Sequence, residues 1–271
     1  MTIKKFAVLL LIMMALSLGF TPSTLAIRPF QIADDAEVEE AGLWEFEFGF
    51  VVERLKTDEP KKTVIDFPGE IDIDYGLPWN AEIGFDFRAQ ALDVDGEDTL
   101  VEPVSEFAIF YKQEFKTWEF EKLDIQIGGE LGIDVPTTRE RRKTGKFNIP
   151  GFFALSLWEI YDKFDLHFLI EGEGEEIGGK NDIKLSFGTF IEYPLRSYKD
   201  FHLVAEYGNE KVEKEKRRHV LLGGFKWANP SNIIKEIGGH EISFDAAPFF
   251  WFTEGRSSVD WGVTAGFEWV W

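Results

Sequence analysis

Cysteine is absent from all 271 residues, which excludes a disulfide framework, a thiol nucleophile and any cysteine-based metal site. The three methionines are Met1, Met13 and Met14, so no sulfur follows residue 14. Asn and Gln are sparse while Glu and Lys are abundant, a usage that avoids thermolabile residues and points to a hot habitat. Basic residues are outnumbered, with 29 Lys and Arg against 49 Asp and Glu. The resulting formal charge of −20 argues against nucleic acid as a partner, because phosphates need a basic surface. Beyond Phe20 no stretch approaches the ~20 consecutive apolar residues of a membrane helix. That absence does not exclude a membrane, since barrel strands give a much weaker hydropathy signal.

What is present begins with a leader. Lys4 and Lys5 precede an apolar run from Phe6 to Phe20, and small and polar residues follow through Ala26. A charged, an apolar and a small-residue region in that order predict a secretory signal over residues 1–26, removed after Ala26. Residues 27–41 then form an N-terminal segment, and residues 42–271 the folded domain.

The folded domain alternates. In the last stretch Val259, Trp261, Val263, Ala265, Phe267, Trp269 and Trp271 interleave with Asp260, Gly262, Thr264, Gly266 and Glu268; only Val270 breaks the second set. Such alternation predicts a β-strand between two different environments. Trp44, Phe46, Phe48, Phe50 and Val52 oppose Glu45, Glu47, Gly49 and Glu53 in the same way. So do Ile71, Ile73 and Tyr75 against Glu70, Asp72 and Asp74, and Ile83, Phe85 and Phe87 against Glu82, Gly84, Asp86 and Arg88. About twelve strands follow from this reading. The sixth, near Phe152 to Ile160, is apolar on both faces and its phase stays open. Many strands alternate over about 9–11 residues, the length that crosses a bilayer when tilted, against about 5–6 in soluble proteins.

Connections after even strands are mostly short: Gly76–Trp79, the region of Lys116–Trp118, Tyr161–Lys163 and Pro194–Asp200. Those after odd strands are longer and charged: Lys56–Lys62, Leu92–Glu102, Pro136–Lys146 and Asn209–Arg217. Ala228–Gly239 is a long exception, where Ser231 could cap a helical turn. An even strand number with short turns at one end and long loops at the other is the pattern of an outer-membrane barrel. The expected fold is therefore all-β, a closed antiparallel up-and-down transmembrane barrel of about twelve strands, in the bacterial outer membrane. Period two alone does not say which face is inside; an inward apolar face would make a soluble, secreted β-sandwich binding protein.

Two resemblances add to this. A terminal strand ending in Phe267, Trp269 and Trp271 resembles the C-terminal signal that the outer-membrane barrel assembly machinery reads. Arg28-Pro29-Phe30, Asp34-Asp35-Ala36 and Gly42-Leu43-Trp44-Glu45-Phe46-Glu47 resemble the opening of the transporter-like outer-membrane family named for the meta-cleavage pathway of phenol degradation. Gly132-Ile133-Asp134-Val135-Pro136-Thr137 resembles that family's strand ending in Pro-Thr-Gly, with Thr138 in place of the glycine. The resemblance implies a barrel that passes small molecules, hydrophobic or aromatic compounds among them.

The candidate site is the lumen wall: Glu45, Glu47, Asp72, Asp74, Glu82 and Asp86, with Arg88 nearby. Strands one to three are neighbours, so these carboxylates should converge and favour cations; a merely hydrated wall is the plainer alternative. Residues 27–41 carry Arg28, Phe30, Asp34, Asp35 and three further acids, and are either a lumen plug or a flexible tail. His167, His202, His219 and His240 show no zinc-site spacing. A membrane hydrolase would need a lipid-facing Ser–His pair, and His219 has no serine in its phase on strands nine or eleven. No phosphate loop, calcium loop or nucleophile elbow appears. The expectation is a passive pore with an acidic lumen, no cofactor, no metal and no catalytic residue. Its partners would be outer-membrane lipids, the assembly machinery and a small permeant. An occluded structural or surface-interaction barrel is the alternative.

Overall fold

The computed structural model describes residues 36–55, 62–94, 100–135, 149–161, 163–177, 180–195, 198–212, 216–228, 241–255 and 259–271. Residues 1–26, Arg28, Phe30, Asp34, Asp35, Ser231 and residues 136–148 lie outside them.

Twelve strands close into one antiparallel barrel, each paired with its sequence neighbours and the first with the last. They are β1 (Trp44–Leu55), β2 (Lys62–Leu77), β3 (Ala81–Val94), β4 (Leu100–Phe120), β5 (Leu123–Val135) and β6 (Ile149–Ile160). Then follow β7 (Phe164–Ile177), β8 (Lys180–Leu195), β9 (Tyr198–Val212), β10 (Lys216–Ala228), β11 (Glu241–Thr253) and β12 (Val259–Val270). Closure leaves no unpaired edge and is completed by β1 on β12, where Phe46 faces Trp269 and Phe48 faces Phe267. Trp44 N–H donates to the Trp271 carbonyl at 3.0 Å, and Trp271 N–H to the Trp44 carbonyl at 2.9 Å. Both chain ends of the barrel thus lie at one rim, called the near end here; the opposite rim is the far end.

A single closed sheet rules out the sandwich, and the alternating faces separate as a barrel requires. Trp44, Phe87, Tyr111, Ile133, Phe153, Leu203, Phe250 and Trp261 are large, apolar and exposed. Asp72, Asp74, Glu82, Gln126, Ser156, His167, Glu206 and Thr264 are buried. The polar phase therefore points into the lumen and the apolar phase outward.

Four sequence expectations need correction. β4 does not end before Lys116 but runs to Phe120, because a bulge between Glu114 and Lys116 shifts the phase without breaking the ladder. Two of the four charged connections shrink: β3 reaches Val94 and β4 starts at Leu100, and β9 reaches Val212 and β10 starts at Lys216. Where both faces of a hairpin meet water, backbone pairing continues while the period-two signal fades. The connection after β7 is only residues 178–179, an exception to long far-end loops. Finally, the lumen face is not uniformly small or charged. Val51, Phe110, Phe190, Val204, Val220, Leu222, Phe249 and Trp251 are buried in the inward phase.

The inward glycines explain how those rings fit. A Cβ on Gly84 would collide with the Phe110 ring and the Asp74 carboxylate, and one on Gly262 with the Phe249 ring. Each glycine is the seat of an aromatic side chain from a neighbouring strand. At the near end, Trp79 (φ 66°) and Asn80 (φ 56°) adopt left-handed backbone between β2 and β3. Such residues cost roughly 1–2 kcal/mol each. Gln113 Nε2 donates to both carbonyls, at 2.9 and 2.6 Å, and holds the turn.

Candidate lumen site

Strand pairing brings the near-end carboxylates together. Glu45 stands opposite Asp74 and Glu47 opposite Asp72. Asp72 in turn stands opposite Asp86, and Gly76 opposite Glu82. Asp72, Asp74 and Glu82 are buried, and Asp86 is half-buried. Arg88 falls opposite Glu70 on one side and Glu106 on the other. Glu268, absent from the sequence-derived set, joins through closure: carboxylate oxygens of Glu45, Glu47 and Glu268 lie within 4.8 Å of one another. Cations border the group. Lys226 Nζ is 3.7 Å from Glu268, and Lys112 Nζ is 3.6 Å from Glu82. Ser243 Oγ donates to Glu268 at 2.9 Å.

The described end of the N-terminal segment runs along this wall. Ala36 is fully buried, and its N–H donates to Ser156 Oγ at 2.9 Å. It packs with Ala154, Leu169, Phe190 and Val204, with Phe152 against the group. A Cβ on Gly128 would stand 2.8 Å from the Ala36 carbonyl oxygen, so the segment passes where that glycine leaves room. Further along, Glu39 N–H donates to Glu82 Oε2 at 2.8 Å, and the Glu40 carbonyl fills the space of a Gly76 side chain. Gly42 and Leu43 then bond to Gly76 and lead into β1.

These contacts also fix the phase of β6. Phe152, Ala154, Ser156 and Trp158 point inward, with Trp158 Nε1 donating to Gln126 Oε1 at 2.8 Å. Ser156 Oγ and His167 Nδ1 are 3.0 Å apart on adjacent strands, a Ser–His contact that the sequence reading did not find. Its signal lay in the β6–β7 register, where Ser156 faces His167. His202 contacts Glu192. His219 is on the outward phase and pairs with Tyr207 Oη at 3.0 Å.

The far half is built differently. Val51, Val220, Leu222, Ala247, Phe249 and Trp251 form a buried apolar cluster on β1, β10 and β11. Arg218 lies on it, with Cζ 3.9 Å from the centroid of the Trp251 ring. Its Nη2 contacts Glu53 Oε1, and its Nη1 is 3.5 Å from Glu210 Oε1. Sequence reading missed this cluster because Phe249-Phe250-Trp251-Phe252 has no alternation to read. At the closing strand, the rings of Trp269 and Trp271 are 4.8 Å apart on the outward side.

No family model matches the chain, and no curated protein matches it. Among solved structures, the NanC porin is similar over 83% of this chain and 98% of its own, at 7% identity and a TM-score of 0.44. The β domain of the Bordetella autotransporter BrkA is similar over 86% and 100%, at 12% identity and 0.44. The outer-membrane protein OpdK from Pseudomonas aeruginosa is similar over 84% and 98%, at 6% identity and 0.40. Likenesses this distant carry no weight for what this chain does, which rests on its own geometry.

Proposed function

We propose that the chain is a bacterial outer-membrane barrel that passes small molecules, with its N-terminal segment seated in the lumen as a constriction. The carrying observation is a closed barrel whose outward face is apolar and whose ionisable side chains lie on the inward face. An apolar surface encircling a molecule needs a non-aqueous neighbour, and a strand barrel satisfies every backbone group within lipid. Residues 1–26 act as the export signal, and Phe267, Trp269 and Trp271 as the element read by the assembly machinery. The near-end carboxylates give the lumen an acidic character that favours cations. The inward rings of Phe110, Phe152 and Phe190 offer apolar surface to a hydrophobic or aromatic permeant, as the resemblance to the phenol meta-pathway barrels implies. No cofactor or nucleic acid enters this function. Ser156 is not given a catalytic role, because it is fully buried and its Oγ already accepts the Ala36 N–H.

Two observations favour the second reading, an occluded barrel: Ala36 is packed into the wall, and the far-half cluster is buried. Planar-bilayer conductance separates the two readings. Channels from the mature protein support the pore. Channels only after deletion of residues 27–41 assign the segment a plugging role. Silence from both, with the barrel folded, supports the occluded structural role.

A further inference from the structure

We propose that the far half of the lumen holds a recognition site for planar organic cations of guanidinium shape, and that Arg218 is its resident occupant. The proposal rests on the barrel being a conduit, and its test does not require one.

The geometry converges from three parts of the wall. Arg218 lies on β10 and Trp251 on the adjacent β11, but Glu53 lies on β1, beyond β11 and β12 in the wall order. The Arg218 side chain therefore crosses the lumen face of two strands to reach its carboxylate. Its flat cation rests 3.9 Å above the Trp251 ring, with Glu53 at one edge and Glu210 at the other. Trp251 and Glu210 are each 1% exposed. A cation over an indole face is held most strongly where water is excluded, and a planar fork matches carboxylates at its edges. Aromatic floor and acidic edges are thus complementary to any guanidinium, whether tethered to β10 or free.

Two details indicate exchange rather than a permanent brace. The Glu210 contact, at 3.5 Å, is at the outer limit of a hydrogen bond, so one edge of the guanidinium is loosely held. Arg218 is also near the far-end start of β10, which begins at Lys216, so its long side chain can swing toward the far mouth when a competitor takes its place.

The test uses full-length protein folded in detergent and titrated with ethylguanidinium, with ethylurea as the uncharged isostere. Trp251→Phe identifies the part of the fluorescence change that belongs to the site. Saturable binding of ethylguanidinium but not ethylurea is expected in the wild type. It should tighten by roughly tenfold or more in Arg218→Ala, where no tethered competitor remains, and weaken again in Arg218→Ala with Glu210→Gln. Arg218→Met, which keeps the side-chain volume, serves if the alanine variant fails to fold. Absence of binding in the wild type, equal affinity in wild type and variant, or equal binding of ethylurea overturns the proposal. A barrel silent in the bilayer yet showing this binding would separate the site from the conduit.

Discussion

The Phe249 ring occupies the space that a side chain on Gly262 would need. The two residues face each other across the β11–β12 pair, so ring and glycine form one packing unit. Gly262→Val should destabilise the barrel by about 1–3 kcal/mol, the usual cost of overpacking a filled site. Urea unfolding followed by heat-modifiable mobility measures it; a variant as stable as wild type would mean the ring relocates freely.

Gly128→Leu places a side chain against the Ala36 backbone rather than against another strand. It should drive the N-terminal segment off the wall while leaving the barrel paired. The expected result is conductance like that of the deletion of residues 27–41, together with new protease cleavage before Trp44. Wild-type conductance and protection would show that the segment yields without leaving.

Neutralising Glu45, Glu47 and Glu268 to Gln, with Asp72 and Asp74 to Asn, removes five carboxyl groups and the charge they share while keeping shape. In a conducting protein the reversal potential in a salt gradient should move toward zero. Charges in an enclosed lumen act on a passing ion with less screening than surface charges do. An unchanged reversal potential would place selectivity elsewhere, with Arg218 the next residue to vary.

Val263 faces outward near the middle of β12 and is 43% exposed. Val263→Arg should cost about 2–4 kcal/mol for folding into vesicles, as a cation at the bilayer midplane does. Glu47→Gln, on the lumen side, should cost little. Equal effects from the two would count against a lipid-facing outer surface.

Trp271→Ala should slow insertion without altering the finished barrel, since its ring packs on the Trp269 ring outside the lumen. Folding kinetics into vesicles with the purified assembly machinery test it; wild-type rates would remove Trp271 from the recognition element.

The barrel was legible because each strand faces two different environments, and period two records that difference directly. β6 defeated the rule because Phe152 and Ala154 turn in while Phe153 turns out, all apolar. The extension of β4 was hidden by the bulge at Glu114/Lys116, which puts Lys116, Trp118 and Phe120 out of phase with Tyr111. The lumen carboxylates of β1 to β3 could be placed together because neighbouring strands in the chain are neighbours in the wall. Glu268 was left out although closure was expected, because its place beside Glu45 and Glu47 depends on the register of the first strand on the last, which alternation does not give. Nor could Arg218 and Glu53 be placed together, because their contact skips two strands. The seated segment gave only its composition to read, whereas its path is set by Gly128 and Ser156 on the paired strands β5 and β6 and by Gly76 on β2.

The hydrogen bonds between Trp44 and Trp271 have a topological consequence. The junction of first and last strands is zipped along its length like the other pairings, so the wall has no structural beginning. Only the entry of residues 36–43 at the near rim marks where β1 starts. A gene opened at the connection of residues 178–179, with Trp271 joined to Trp44 by a short linker, would encode the same ring of strands in a rotated order. The order of synthesis and the architecture are in this sense independent.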